Sequence, residues 1–292
     1  MQRFDMYVPA NFSDLMAYID EHPISNETHL IANGSDLINR IQRRQLKART
    51  LVDLSGLQEL NYVKKDNATI RIGALTTISD LVTSPIIDSG LGVFREVASK
   101  FGGPAIRNVA TVGGNICAAS SSEDLLPVLM VLDAKVRLRS IGGERIIPLE
   151  KFLKGKRQTD LKPNEVLVET MFEEVSDRSA CAFEKIGMRN SLIIAFVNCA
   201  VYLTVAETSR IEEVRIAFNR VAGKTPARAK RTEQQLKGTI IAANNLSRFE
   251  STIRGELKTS ADFRATAEYR SDVAYVLLER AMNKCIQELE GR

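Results

Sequence analysis

The N-terminal part of the chain alternates between helical and strand patterns of apolar residues, and this alternation limits the folds that are open to it. Apolar residues recur at helical spacing over residues 12–19, and a short apolar run, 29–32, follows. The polar turn 33–36 leads into a second helical pattern, and 50–54 is a further apolar run. Helices and strands in this order predict a β-α-β-α-β unit within the first ~55 residues.

The pattern changes between Asn61 and Ala74, where two alternating runs predict a β-hairpin. Residues 62–64 and 69–72 flank Asp66 and Asn67, which favour turns. Helical patterns then lie near 78–81, 94–101 and 124–132, and strand patterns at 134–139 and 166–171. The remainder predicts an antiparallel meander with strands over 182–186, 194–206 and 214–218, followed by helices over 228–236, 246–257 and 265–290.

A polar, turn-like stretch at 173–179 predicts a domain boundary near Asp177. We therefore expect an α+β fold with two domains, 1–177 and 178–292, the first divided into subdomains of about 1–57 and 58–177. The final helix is amphipathic, and its predicted apolar side consists of Tyr269, Val273, Val276, Leu277 and Met282.

Charge gives little indication of a partner. The chain has 40 basic and 36 acidic residues, a net charge of +4 that is too weak to indicate nucleic-acid binding. The densest basic stretch consists of Arg40, Arg43, Arg44, Lys47 and Arg49. We interpret it as a solvated helix face, with a docking patch for a partner subunit as the alternative.

The cysteines and histidines predict no metal site. Cys117, Cys181, Cys199 and Cys285 form no C-x-x-C pair, and His22 and His29 form no H-E-x-x-H or triad pattern. No secretory signal is evident, and the longest apolar stretch, about 192–205, is too short to span a bilayer. We expect a reducing cytoplasm, and any catalysis with these residues requires a cofactor.

Two glycine-bearing loops carry the candidate chemistry. In the first, 30–38, a strand runs into a helix start, where backbone N–H groups favour an anion. Gly34 allows close approach of a pyrophosphate, and Ser35 supplies a hydroxyl. The alternative is a strand–helix turn that is capped by Ser35 or Asp36 and binds nothing. The loop matches neither G-x-G-x-x-G nor G-x-x-x-x-G-K-[ST], so it supports neither a Rossmann nor a P-loop site.

The second loop, 106–116, contains Gly113 and Gly114 between Thr111 and Asn115. Consecutive glycines let two peptides face a ligand, and the bracketing side chains supply hydrogen bonds. A plain hairpin turn is the alternative. Asp124 follows a serine run, and it is interpreted either as a ribose-binding carboxylate or as an ordinary carboxylate at a helix N-terminus.

These residues together resemble a known family. Ala32-Asn-Gly-Ser-Asp36, Gly103-x-x-Ile-Arg-Asn-x-x-Thr-x-Gly-Gly-Asn115 and Asp124 are similar to the FAD-binding subunit of molybdenum hydroxylases. That group includes the medium subunit of carbon monoxide dehydrogenase, the nicotinate dehydrogenase FAD subunit and the flavin domain of xanthine dehydrogenase. Segments 165–169, 183–189 and 267–277 extend the resemblance over the whole chain.

The resemblance implies a two-subdomain fold of the PCMH (vanillyl-alcohol-oxidase-like) type, followed by an α+β C-terminal domain of the CO dehydrogenase flavoprotein type. It implies cofactor contacts from both loops and four other residues: Leu30, Ile31, Ala32, Asn33, Gly34, Ser35, Asp36 and Leu37; Ala110, Thr111, Val112, Gly113, Gly114 and Asn115; and Phe101, Asp124, Leu167 and Lys185. The two loops would hold the pyrophosphate from opposite sides.

Four residues outside the loops have separate implied roles. Asp124 would hold the adenosine portion, Phe101 would contact an aromatic ring, and Leu167 would line the flavin. Lys185 would lie at the isoalloxazine edge, where a cation stabilises the reduced, anionic flavin.

The chain departs from the family pattern at two places. Asn33 replaces a glycine of the first loop, and we expect it to tolerate the left-handed backbone conformation. After Arg189, Leu192-Ile-Ile194 replaces an acidic position, which puts an acidic contact near the flavin in doubt. Neither loop carries a histidine for covalent attachment, so non-covalent FAD is expected.

The function implied is electron transfer in a larger assembly. A large molybdopterin-binding subunit and a small [2Fe–2S] subunit would be the partners, in a dimer of heterotrimers, and FAD would pass electrons to an external acceptor. Two alternatives stay open: a stand-alone reductase of the UDP-enolpyruvylglucosamine reductase type, and a flavin-free structural subunit. The sequence names neither the hydroxylated substrate nor the acceptor.

Overall fold

The N-terminal segment forms a small parallel sheet. The computed structural model describes residues 3–88, 91–188, 194–219, 226–240 and 246–292. Its first elements are β1 (Asp5–Tyr7), α1 (Phe12–Glu21), β2 (Thr28–Ile31), α2 (Leu37–Gln42) and β3 (Thr50–Asp53), and the strands pair in parallel in the order β1-β3-β2. The β-α-β-α-β prediction is confirmed. Leu15 and Ile19 of α1 are fully buried, as the helical spacing predicted.

The middle segment forms a five-stranded antiparallel sheet and a set of short helices. Its elements are β4 (Val63–Asp66), β5 (Thr69–Gly73), α3 (Ile78–Thr83), α4 (Pro85–Asp88), α5 (Val93–Lys100), α6 (Pro104–Arg107), α7 (Val112–Ala118), α8 (Leu125–Val131), β6 (Lys135–Ser140), β7 (Gly143–Pro148), α9 (Leu149–Phe152), β8 (Leu153–Gly155), β9 (Gln158–Thr159) and β10 (Val166–Glu173). The sheet order is β4-β5-β10-β6-β7, and β8 pairs with β9 alone. Asn67 has φ +53 at the tip of the predicted hairpin.

The C-terminal segment is an antiparallel sheet covered by helices. The strands β11 (Ser179–Ile186), β12 (Val197–Val205), β13 (Ile211–Asn219) and β14 (Ala227–Arg228) pair in that order, and α10 (Lys230–Leu236), α11 (Glu250–Glu256) and α12 (Ala267–Glu290) follow. Short 3-10 helices occupy Gln58–Leu60 and Leu246–Phe249. Arg189, Leu192 and Ile193, which entered the sequence comparison, lie outside the described residues.

The predicted apolar side of α12 is partly wrong. Tyr269 is 43% exposed and Val276 is 39% exposed, whereas Leu277 and Met282 are buried. The helix instead packs against β11 and β12 through Ala274, Leu278, Ala281 and Cys285 as well. Small residues on the buried side let the helix lie close to the sheet. The prediction was partly wrong because it assigned the buried side from the larger apolar residues alone.

The C-terminal sheet packs directly on the middle segment. Phe183 and Tyr202 belong to the same buried core as α5 and α8. Lys284 of α12 bridges the two segments, because its Nζ lies 2.9 Å from Glu96 of α5 and 2.7 Å from Glu184 of β11. These contacts fix the C-terminal segment beside α8, whose N-terminus enters the site.

Candidate functional site

A large cavity lies where the N-terminal, middle and C-terminal segments meet. Its volume is about 1120 Å³, above the ~300–1,000 Å³ that is usual for small-ligand pockets. Every predicted site residue except Val112 and Lys185 lines this cavity. The two glycine loops, Phe101, Asp124 and Leu167 therefore all line the same cavity.

Gly34 shapes the first loop. Its φ is +75, and a Cβ there would lie 2.8 Å from Cγ1 of Ile38, so glycine is required on both grounds. Asn33 does not adopt the left-handed conformation that was expected of it. Its Nδ2 instead donates to the carbonyl of Val109 at 3.0 Å and joins the first loop to the second. Asn33 therefore replaces glycine without strain and adds a contact between the loops.

The second loop is not a hairpin turn, because Gly113 and Gly114 lie in the first turn of α7. Thr111 is the N-cap, and its Oγ1 accepts the N–H of Gly114 at 3.1 Å. The N–H groups of Val112 and Gly113 donate to the carbonyls of Thr76 and Ala74. These N–H groups are thus bonded within the protein, and Gly113 and Gly114 present backbone surface to the cavity rather than free donors.

The two glycines of this turn do different work. Gly113 is buried, and a Cβ there would lie 2.7 Å from the Ala74 carbonyl oxygen, so it permits α7 to pack on the end of β5. Gly114 is exposed, and a Cβ there would meet only Thr111 Oγ1 within 4 Å. Gly114 therefore offers the cavity a bare stretch of backbone that any side chain would cover.

Asn115 and Glu123 form a polar pair in the cavity wall. Asn115 Nδ2 donates to the Glu123 carboxyl, while its buried Oδ1 has no hydrogen-bond partner among the described residues. Burial, together with Asp124 and Asp36, raises the pKa of Glu123 to about 8. Glu123 is therefore largely protonated at neutral pH. No sequence pattern indicated this residue, because only the fold surrounds it with apolar atoms and carboxylates.

Asp124 and Lys185 form a buried ion pair. Lys185 Nζ lies 2.5 Å from Asp124 Oδ2 and donates to the Lys100 carbonyl at 2.8 Å, with side-chain exposures of 4% for Lys185 and 7% for Asp124. Asn198 Nδ2 donates to the other carboxylate oxygen at 2.9 Å. Lys185 thus lies behind the cavity wall rather than on it, and Val112 is likewise buried behind the second loop.

Five cationic side chains line the cavity: Arg40, Arg43, Lys156, Arg157 and Arg264. Arg40 and Arg43 come from the basic stretch that was interpreted as a solvated face, and the structure corrects that interpretation for these two residues. Lys156 and Arg157 form the two-residue tip between β8 and β9, and sequence reasoning missed them. The sequence signal that could have indicated them is the pair of basic residues directly after Gly155, since the tip of a two-residue hairpin projects both of its side chains outwards.

Apolar side chains complete the cavity. Leu54, Leu75, Val166 and Leu167 are buried in its wall, while Ile194 and Phe263 line it and are 50% and 90% exposed. His29 and Cys117 also line it. The Nε2 atom of His29 is 2.8 Å from the Lys47 carbonyl oxygen. Burial raises the pKa of the Cys117 thiol to about 12, so the thiol is not ionised at neutral pH.

The cavity and the fold define a class of α+β protein that binds a ligand with both phosphate and ring portions. Residues 2–172 match the family model of the FAD binding domain in molybdopterin dehydrogenase, and residues 182–285 match the CO dehydrogenase flavoprotein C-terminal domain. The chain therefore belongs to the family of FAD-binding domains of molybdopterin dehydrogenases. The predicted fold class is confirmed.

Known proteins of this family align along the whole chain. The xanthine dehydrogenase FAD-binding subunit of Escherichia coli O157:H7 is 27% identical over 97% of this chain and 96% of its own length. The nicotinate dehydrogenase FAD-subunit of Eubacterium barkeri is 27% identical over 100% of this chain and 99% of its own. A chain of carbon monoxide dehydrogenase from Hydrogenophaga pseudoflava superposes with a TM-score of 0.92 at 26% identity, covering 98% of both chains.

The described residues fit FAD. The volume accommodates a dinucleotide, the bare backbone at Gly114 allows close approach, and the five cationic side chains attract the negative charge of a diphosphate. Among the described residues no group of His, Cys, Asp or Glu could hold a metal ion. No helix in the described parts of the chain is long and apolar enough to cross a membrane.

Proposed function

We propose that this chain binds one FAD non-covalently in the 1120 Å³ cavity and serves as the electron-transfer subunit of a molybdopterin-dependent hydroxylase or dehydrogenase. The observation that carries the proposal is the convergence of both glycine loops on one dinucleotide-sized cavity, in a chain that FAD subunits match from end to end. When bound, FAD would accept electrons from [2Fe–2S] clusters of a partner subunit and pass them to an external acceptor.

The residues of the chain would bind and orient this cofactor. Residues 30–37 and 110–115 would hold the diphosphate, with Gly34 and Gly114 allowing close approach. Phe101, Asp124 and Leu167 would border the remainder. Lys185 would act through Asp124, because its ammonium holds that carboxylate in place from behind the wall.

Non-covalent attachment is supported by the state of the cysteine in the cavity. The thiol of Cys117 stays protonated at neutral pH, because burial raises its pKa to about 12. A protonated thiol is a poor nucleophile for forming a bond to the flavin ring.

The proposed partners are a large molybdopterin-binding subunit and a small [2Fe–2S] subunit, assembled as a dimer of heterotrimers. The support is that relatives are named as medium chains or FAD subunits of larger dehydrogenases. A division of the chain at about residue 177 and a cytoplasmic location complete the proposal. All four cysteines are free, which suits a reducing compartment. A stand-alone reductase or a flavin-free subunit is supported less, because the matches cover the whole chain.

The test is an absorption spectrum of the purified chain before and after heat denaturation and filtration. Oxidised flavin released into the filtrate supports non-covalent FAD, and flavin that stays with the precipitate contradicts it. Gly114→Ala should remove the flavin while the protein stays folded. The matched control is Gly56→Ala, because Gly56 is exposed and a Cβ there meets nothing within 4 Å. A colourless wild-type chain that takes up no added FAD would overturn the proposal.

A further inference from the structure

Arg157 contacts the first cofactor loop and the C-terminal end of α7 from a third segment of the chain. Its guanidinium binds the carboxylate of Asp36 in the first loop with two hydrogen bonds, of 2.5 and 3.1 Å. Its backbone N–H donates to the carbonyl of Ala119 at the C-terminal end of α7, at 2.8 Å. A single residue of the β8–β9 tip thus joins the first loop to the helix that begins with the second.

The backbone at this junction is held in an unfavourable conformation. Arg157 has φ +61 and Ala119 has φ +43, and the two residues are hydrogen-bonded to each other. Non-glycine residues pay a free-energy cost in the left-handed region, and such positions persist where surrounding contacts determine them. A left-handed residue suits the tip of a short hairpin, and the contacts with Asp36 and Ala119 fix the position of this tip against the first loop and α7.

The charges around Asp36 explain why it needs this partner. Asp36 lines the cavity and lies 3.9 Å from Arg40, and its side chain makes no capping bond to α2. An unpaired carboxylate at this position would repel the diphosphate that the loop binds. With Arg157 bound to it, the carboxylate is neutralised, and Arg40, Arg43 and Lys156 leave the rim positive.

We propose that Arg157 is a positioning residue of the FAD site, and that its ion pair with Asp36 sets the spacing of the two loops on either side of the diphosphate. This inference rests on the proposed function. Arg157 acts on the cofactor through Asp36 and the backbone of α7, and not as an independent phosphate ligand.

The experiment measures the Kd of added FAD by fluorescence quenching on the full-length chain, after removal of bound flavin. Arg157→Ala should raise Kd at least tenfold, and Arg157→Lys, which keeps the charge but not the paired hydrogen bonds, should give an intermediate value. Asp36→Ala should also raise Kd, and the double variant should be no worse than Arg157→Ala alone. The matched control is Arg254→Ala, because Arg254 is also an ion-paired arginine of similar exposure but does not line the cavity.

The exchange variant D36R/R157D gives a second readout that loss of fold does not mimic. It should bind FAD more tightly than either charge-reversed single variant, because the pair is restored in the opposite sense. Three results would overturn the inference: an unchanged Kd in Arg157→Ala, a lower Kd in Asp36→Ala, or no rescue by the exchange. If wild type itself binds no FAD, the proposed function fails instead, so the two failures are distinguishable.

Discussion

Two ion pairs border the same cavity and differ in their exposure to water. Lys185–Asp124 lies behind the wall with side-chain exposures of 4% and 7%, whereas Arg157–Asp36 lies at the rim with 31% and 40%. The inner pair is desolvated, so each charge depends on the other. The rim pair remains hydrated, so its contribution to folding is small and its geometry can respond to a ligand. Equal contact distances therefore correspond to different roles.

Removing the inner cation should give the largest effect on stability. Lys185→Met leaves Asp124 buried without its counter-ion, and we expect the free energy of unfolding to fall by about 3–5 kcal/mol. Urea denaturation measures this loss. The double variant K185M/D124N removes both charges and should recover at least half of the loss, since Asn198 still binds position 124. A loss below ~1 kcal/mol in the single variant would show that the pair is hydrated after all.

The two glycines of α7 sharpen the same contrast between inner wall and rim. Gly113→Ala places a methyl group 2.7 Å from the Ala74 carbonyl, and we expect a loss of ~1–3 kcal/mol in unfolding free energy, the usual cost of overpacking. Gly114→Ala places its methyl group 2.8 Å from Thr111 Oγ1, a side-chain atom that can shift, and should cost at most about 1 kcal/mol, the usual worth of the N-cap that it disturbs. Equal losses in the two variants would contradict the distinction between a packing glycine and a binding glycine.

The charges of both ion pairs act on Glu123, so the pKa of its carboxyl depends on both pairs. Desolvation, Asp124 and Asp36 raise its folded-state pKa to about 8 from 4.5, while Arg157 and Lys185 oppose the rise. A carboxyl whose pKa is raised on folding binds its proton more tightly in the folded state. Its contribution to stability is therefore fully present below pH 4.5 and is lost as pH rises towards 8.

The measurement is the unfolding free energy of wild type and Glu123→Gln between pH 5 and pH 9. Gln keeps an acceptor for Asn115 but has no proton to lose. Across this range wild type should lose roughly 2–4 kcal/mol relative to the variant, because the pKa of Glu123 is about 8 in the folded chain and 4.5 in the unfolded chain. Parallel pH profiles would show that Glu123 is ionised in the folded chain at neutral pH.

Much of the fold was predictable from the sequence because its signals are local. Alternating and helical apolar patterns identified the strands β2 and β3 and the β4–β5 hairpin, and two short motifs identified the loops. The start of α7 was missed because two glycines have low helix propensity, and tertiary bonds from Thr76 and Ala74 override it.

The pairs around the cavity could not be predicted, because they join distant parts of the chain. Arg157 and Asp36 are 121 residues apart, and Lys185 and Asp124 are 61 apart. The resemblance indicated that Lys185 belongs to the site, but only the structure shows that it lies behind the wall. Phe101 and Leu167 line the cavity as expected. Phe101 lies at the C-terminal end of α5 and Leu167 lies in β10, so the fold determines the position of both.

The smallest expected effect is that of salt on the unfolding free energy of variants in the two ion pairs, and it distinguishes the hydrated pair from the buried pair most directly. Arg157→Ala should lower the unfolding free energy by less than ~1 kcal/mol, because the rim charges are hydrated. In about 1 M NaCl, where the screening length is ~3 Å, even this difference should disappear, while the loss in Lys185→Met should persist. Urea denaturation of both variants at low and high salt tests this. A loss of several kcal/mol in Arg157→Ala that salt does not reduce would assign the rim pair a structural role, so that its effect on FAD would follow from folding rather than from loop spacing.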